Sequence, residues 1–233
     1  MAPRYAIYYA PDVSDPLWAR ANQWLGRDPV TGSMVREPIP PLGREELDGL
    51  TVSARRYGFH ATIKAPMALA SDASEAELQD ALARFAAEHA PLYLGRLELV
   101  SLHGFLALIP QANEALQDLA AHVVESFEPF RAPLSLKDQA RRAAAGLTPR
   151  QQELLGAYGY PYVFEEFQFH MTLTDRLGKA DHDRVLAAAE AWFAPVLATS
   201  VRLDRICLFV EPSPGEPFRR ATEYRLRDGA LGV

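Results

Sequence analysis

Phe59-His60-Ala61-Thr62-Ile63 and Phe169-His170-Met171-Thr172-Leu173 are one pattern written twice: aromatic, histidine, apolar residue, threonine, aliphatic. Such alternation predicts a β-strand, in which side chains at i and i+2 share a face. Each copy therefore presents an imidazole and a hydroxyl side by side and turns its apolar residues the other way. Two such strands facing one another would gather two proton-transfer groups and two hydroxyl donors around a single substrate atom. A lone His-x-Thr is better explained by a buried histidine with a structural hydrogen bond. Two copies in matched apolar frames are not.

The elements after each copy repeat as well. After the first, Ser74 caps an amphipathic helix to about His89, with Leu78, Leu82 and Phe85 on its buried side; strands at 93–102 and 105–109 turn near Gly104. After the second come a helix over about 180–194, a strand over 201–211, a Pro/Gly turn at 212–217 and a last strand over 219–227. Motif strand, helix, strand, strand recurs, and the short turns call for antiparallel pairing. The expected fold class is α+β: a duplicated unit with antiparallel sheets flanked by helices, forming one domain over 1–233 with lobes at roughly 1–110 and 111–233.

Outside the repeat, 4–10 reads as a strand with Tyr5, Ile7 and Tyr9 on one face, 15–25 as a helix, and 26–50 as loop around a short helix. Between the halves lie a helix over 113–127, a charged helical stretch from Ser135 to Ala145, and a helix opened by Thr148-Pro149, where proline suits the first helical position. An aromatic turn at 156–162 precedes the second motif. The helical insertion at roughly 131–160 reads as a lid or specificity element, or equally as a hairpin that only covers the sheet.

Composition narrows the class. The chain has 233 residues, 48% of them apolar, enough for a full core. Its opening residues do not form a signal peptide, no apolar run approaches a membrane span, and Cys207 is the only cysteine, so a cytoplasmic protein without membrane association is expected. A net charge of −6 argues against a broad surface for long nucleic acid. It leaves room for a locally basic pocket, for which Arg55, Arg56, Lys64 and Arg176 are candidates, although each also reads as an ordinary surface charge.

Two histidines and two threonines suit phosphodiester chemistry. One neutral imidazole takes a proton from the attacking water or hydroxyl, and the other, protonated, donates to the departing alkoxide. The threonine hydroxyls donate to non-bridging oxygens as charge accumulates. No metal or other cofactor enters this scheme. The catalytic candidates are His60, Thr62, His170 and Thr172. Which histidine is acid and which base stays open. Parity adds Lys64, on the expected face of His60 and Thr62, as a point charge for a second phosphate, and Thr174 and Arg176 continuing the face of His170. Tyr57 and Tyr162 precede the two motifs and could stack on a base or sugar. Each of these also has a structural reading: a snorkelling lysine, an arginine past the strand end, core tyrosines. His89, His103 and His122 read as incidental, and Asp181-His182-Asp183 as a helix first turn rather than a metal site.

The strings Arg56-Tyr57-Gly58-Phe59-His60-Ala61-Thr62-Ile63-Lys64-Ala65-Pro66 and Phe167-Gln168-Phe169-His170-Met171-Thr172-Leu173-Thr174 resemble the two motifs of the two-histidine (2H) phosphoesterase superfamily, in particular its branch of phosphonate metabolism proteins. The resemblance extends over the whole chain, through both motifs and the helical insertion between them. It implies a two-lobed α+β fold with pseudo-twofold symmetry, an active cleft between the lobes, and His60, Thr62, His170 and Thr172 as the catalytic set. For the substrate it implies a small phosphorylated sugar or nucleotide, such as a ribose cyclic phosphate. Two other readings compete: a metal-dependent hydrolase with both histidines as ligands, and a non-catalytic module that binds RNA ends or nucleotides.

Overall fold

A computed structural model describes residues 2–144 and 146–227. Nine strands and eight α-helices run in the order β1 (Arg4–Tyr9), α1 (Pro16–Leu25), α2 (Arg44–Leu50), α3 (Val52–Tyr57), β2 (Ala61–Met67), α4 (Glu75–Glu88), β3 (Leu92–Gly95), β4 (Glu98–Leu102), β5 (Phe105–Ile109), α5 (Glu114–Ser126), α6 (Leu136–Ala143), α7 (Pro149–Tyr158), β6 (Met171–Thr172), α8 (Lys179–Leu197), β7 (Val201–Leu203), β8 (Arg205–Glu211) and β9 (Arg219–Arg225) among the described residues. Helix starts follow local chemistry. Asp15 accepts from Leu17 N–H ahead of Pro16, and Asn113 accepts from Leu116 N–H. Ser74 with Glu77, and Thr148 with Gln151, form reciprocal capping boxes. The helix expected over 135–145 ends at Ala143, and Ala145 lies outside the described residues.

Seven strands form one sheet in the order β4-β5-β6-β2-β1-β8-β9, and β3 pairs with β7 as a separate ribbon. Every pairing is antiparallel. The α+β class and the duplicated unit are therefore present, with a particular interleaving. The hairpin that ends the first half, β4-β5, lies beside the motif strand of the second, β6, while β8-β9 lies on the far side of β1 from β2. The helices cross over in the same sense, α4 packing on β8 and β9 and α8 on β4. Lobes divided at about residue 110 thus exchange hairpins, and the sheet runs unbroken through the join.

That join is a single ladder pair, Ala61 opposite Met171. These are the middle residues of the two motifs, so the pseudo-twofold passes between them. Antiparallel pairing about this point sets His60 across from Thr172 and Thr62 across from His170. The apolar frame residues behave as the alternation predicts: Phe59, Ala61, Ile63, Phe169, Met171 and Leu173 are all buried. Strand β1, next to β2, is buried on both faces from Tyr5 to Tyr9, which explains its near-continuous apolar run. The segments expected as single strands over 93–102 and 201–211 are each broken in two, the first at Gly95 with φ of 70°. The first piece of each goes to the β3-β7 ribbon, and the second to the main sheet.

Trp24 ties α1 to the second motif. Its ring is fully buried against Phe193, with centroids 5.6 Å apart, and its indole N–H donates to the Leu173 carbonyl at 2.9 Å. Trp24→Phe keeps the ring packing but strands that carbonyl. It should cost about 1–3 kcal/mol, read as a lowered urea midpoint with an unchanged m-value.

Candidate active site

The imidazoles are held identically. His60 Nδ1–H donates to the Gly58 carbonyl and His170 Nδ1–H to the Gln168 carbonyl, each at 2.8 Å and each two residues back. With Nδ1 committed as donor, the neutral ring carries its lone pair on Nε2. Gly58 makes the first of these bonds available. Its φ is 80° and ψ 173°, a conformation close to glycine-only, and an added Cβ would lie 2.8 Å from the Pro29 ring. Thr62 Oγ1 lies 3.3 Å from His60 Nε2, so hydroxyl and imidazole meet on one face as the strand period requires.

His60, Thr62, His170 and Thr172 line one cavity of about 580 Å³, together with Tyr57, Tyr162, Thr174 and Arg176. Lys64 stands apart. Strand β1 partners Tyr8 with Thr62 but Ile7 with Lys64, so two positions on β1 face three on β2. This bulge breaks the alternation that would have kept Lys64 in step with Thr62. The Lys64 ammonium is buried, donating to the Val124 carbonyl and pairing with Glu128, both at 2.9 Å. Burial pulls its pKa down and Glu128 opposes that pull. Arg55 lies away from both cavities, paired with Asp48 at 2.5 Å.

The other candidates have structural duties as well. Thr174 is fully buried and its Oγ1 accepts from Leu106 N–H at 2.9 Å. Tyr57 stacks on Phe218 at 4.9 Å, and Tyr162 is 43% exposed at the cavity rim, edge-on to Tyr160. The loop expected over 26–50 yields α2, and α3 comes next to deliver Tyr57. Asp175, also on the cavity wall, caps α3 by accepting from Ser53 and Ala54 N–H. Sequence reasoning passed over Tyr8, Arg4, Arg142, Tyr160 and Phe105, which line the same cavity. Tyr8 falls on the face of the first strand opposite Tyr5, Ile7 and Tyr9, so strand parity was the available signal for it.

A larger cavity of about 820 Å³ adjoins the first, sharing Arg4, Tyr57, Arg142 and Tyr160 as wall residues. It holds Lys64 and is basic by construction. Glu211, fully buried, is shared by Arg4 and Arg56; Glu128 is shared by Lys64 and Arg131. Each carboxylate thus meets two cations and neutralises one. Burial alone would raise the Glu211 carboxyl, but the Arg4 hydrogen bond and the Gly215 N–H hold it below the usual range. The insertion helices α6 and α7 and the turn after them supply the outer wall through Asp138, Arg142, Tyr158 and Gly159.

Both catalytic candidates are depressed in pKa. Burial pushes His60 down to about 4 against the opposing Gly58 carbonyl, and His170 adds to the fall. Burial lowers His170 too, against the Gln168 carbonyl, with His103 contributing. Among the described residues, no group of three or more His, Cys, Asp or Glu side chains is placed to hold a metal, and no helix is long and apolar enough to cross a membrane.

Residues 62–219 match the family described as "Protein of unknown function (DUF1045)". A protein from Janthinobacterium sp. (strain Marseille) named "Ribose 1,5-bisphosphate phosphokinase PhnN" is 41% identical over 92% of this chain and 49% of its own length. Its namesake from Laribacter hongkongensis (strain HLHK9) is 37% identical over 93% of this chain and 50% of its own. The chain therefore spans about half the length of the curated relatives it matches. Among solved structures, TT0787 of Thermus thermophilus aligns over 97% of this chain and 99% of its own at 16% identity and TM-score 0.46. E. coli LigT complexed with 3′-AMP aligns over 98% and 100% at 12% identity and TM-score 0.41.

A histidine kept neutral by the fold makes stability depend on pH. Unfolded, His60 titrates near the ordinary value of 6.5; folded, near 4. Between those values the unfolded chain binds the extra proton, so stability is present at neutral pH and declines as pH falls through that window. His60→Gln should shrink the drop in urea midpoint between pH 7 and about pH 5. An undiminished drop would place the acid sensitivity elsewhere.

Proposed function

The chain belongs to the DUF1045 family, and on that premise we propose that it is a metal-independent phosphoesterase that opens a small cyclic phosphate, or cleaves a 2′,3′ or 2′,5′ phosphodiester, by two-histidine acid–base catalysis. The observation that carries the reading is the Ala61–Met171 register, which sets two identically oriented imidazoles and two threonines about one cavity. Phosphorus sits between the two Nε2 atoms. As the oxygen of water bonds to phosphorus, one imidazole removes its proton; as the bond to the ring alkoxide breaks, the other imidazolium supplies one. Thr62 and Thr172 donate to the non-bridging oxygens, where charge builds. An anionic phosphate between the rings favours the imidazolium, offsetting the burial that keeps both neutral at rest.

The substrate we favour is a ribose cyclic phosphate bearing a second phosphate. The basic chamber beyond Thr62, with Lys64, Arg131, Arg4 and Arg56 on its walls, suits a dianionic phosphate monoester. Tyr57 and Tyr162 then flank the sugar. Opening a cyclic phosphate on such a ribose yields a ribose bisphosphate, the class of compound in the relatives' name.

The test is turnover on a panel of cyclic phosphates, with and without EDTA. His60→Ala and His170→Ala should each lose about 10²–10⁴-fold in kcat, and chelation should leave the wild type unchanged. Activity abolished by EDTA would favour the metal-dependent reading, and binding without turnover a non-catalytic nucleotide module. For the second phosphate, Lys64→Met should weaken kcat/KM by about 1.5–3 kcal/mol, roughly ten- to a hundredfold, on substrates that carry one. Substrates lacking it should be nearly unaffected. Equal losses on both would remove Lys64 from substrate binding.

A further inference from the structure

The pseudo-twofold that relates the motif strands breaks one residue away from them. Across the sheet, Thr62 is partnered by Tyr8 on β1, whereas its counterpart Thr172 is partnered by Ala107 on β5. An aromatic ring therefore lies beside one motif and a methyl group beside the other. Tyr8 is buried, its phenol oxygen meets the Thr62 hydroxyl, and its ring lies diagonally against His60 with centroids 3.8 Å apart and planes 23° apart. Phe209 at 6.0 Å and Tyr57 at 6.1 Å complete an aromatic enclosure of His60. His170 has only a tilted ring against it among the described residues, Phe105 at 5.8 Å and 50°.

We infer that Tyr8 gives the two-histidine site its direction: packed against His60, it fixes that imidazole as the proton acceptor and leaves His170 as the proton donor. The inference rests on the phosphoesterase reading for its chemistry and on the register for its geometry. In the step so assigned, His60 Nε2 takes the proton of the attacking water as the new P–O bond forms. His170 Nε2–H gives its proton to the ring alkoxide as the old P–O bond breaks. The two imidazoles then exchange protonation state, and solvent resets them.

Two effects of a stacked ring oppose each other. An aromatic face attracts a cation through the negative face of its ring quadrupole, which would favour imidazolium. The same face excludes water from a ring that has no carboxylate to replace it. The titratable groups facing His60 are Tyr8 from β1, Tyr57 from the end of α3, and His170 just ahead of β6. Asp175 is the one carboxylate on the described cavity wall, and it is engaged with the Ser53 and Ala54 N–H groups. Arg4, Arg142 and Arg176 on the same wall add positive charge. Burial outweighs that attraction and keeps His60 neutral, as an acceptor must be. Burial lowers His170 as well, so what sets the two imidazoles apart, among the described residues, is the ring stacked on His60 alone.

Two experiments decide the matter. The first follows the imidazole Cε1–H resonances against pH in the wild type, Tyr8→Leu and Tyr8→Phe, and needs no substrate. Tyr8→Leu should raise the His60 midpoint toward its ordinary value by about one unit or more and leave His170 in place; Tyr8→Phe, which keeps the ring, should behave as wild type. An unmoved His60 midpoint, or equal movement of both histidines, would overturn the role of Tyr8. The second compares a 2′,3′-cyclic nucleotide with a p-nitrophenyl phosphodiester, whose leaving group departs without a proton. His170→Ala should lose about a hundredfold or more on the cyclic substrate yet stay within roughly tenfold of wild type on the aryl ester, while His60→Ala is impaired on both. The reverse pattern would overturn the direction. A wild type inactive on both esters would overturn the phosphoesterase reading and the direction with it, while the titration would still decide the Tyr8 contact.

Discussion

The site depends on one backbone contact, the antiparallel pairing of Ala61 with Met171. Side chains alternate along a strand, so fixing this pair fixes which residues face each other across it. A slip of one position would turn one His and Thr pair to the opposite face and leave the other without a counterpart. The contact is short, because β6 is only two residues long, so its register is held by neighbours. Strand β1 holds β2 from one side, β5 holds β6 from the other, and the Leu173 and Thr174 N–H groups reach the Leu106 carbonyl beyond the strand end. Trp24 closes the same segment from α1.

The interleaved halves are a consequence of this join. Each motif strand would otherwise present a free edge; here β6 is covered by the hairpin of the first half, and β2 by β1 and then the hairpin of the second. The helices α4 and α8 pack on strands of the half to which they do not belong. The main cluster of buried residues draws on both halves, and a small separate one gathers Val124, Leu154 and Val163. The cavity lies where the halves meet, so each contributes one imidazole and one hydroxyl.

Electrostatics divide the region in two. Around the histidines the wall is aromatic and holds little compensating carboxylate, so burial keeps both rings toward the neutral form. In the adjoining chamber Glu211 and Glu128 each hold two cations. A carboxylate between two cations keeps them charged and in place while leaving one positive charge of each trio unbalanced. The two environments are separated by the bulge between Thr62 and Lys64. One residue of displaced register assigns the lysine to the basic chamber and the threonine to the histidines.

Local physics was legible in the chain from the start. Alternation in the two motifs identified the strands, the His and Thr faces and the buried frame; cap residues at Ser74 and Thr148 located two helix starts; and the repeated order of elements gave the α+β class. These readings succeed because strand period and helix capping involve residues a few positions apart. Others needed partners far along the chain. Lys64 left the face that parity assigned it because β1 pairs with a bulge; Tyr8 gained its place against His60 because β1, and not a hairpin, flanks β2. Arg4 and Arg56 meet at Glu211, more than 150 positions beyond Arg56. By itself, then, the sequence determined which residues could share a face. Which faces met, and which charges and rings lay beside each histidine, was decided by the tertiary pairing, because long-range register depends on how the whole sheet closes and leaves no local trace.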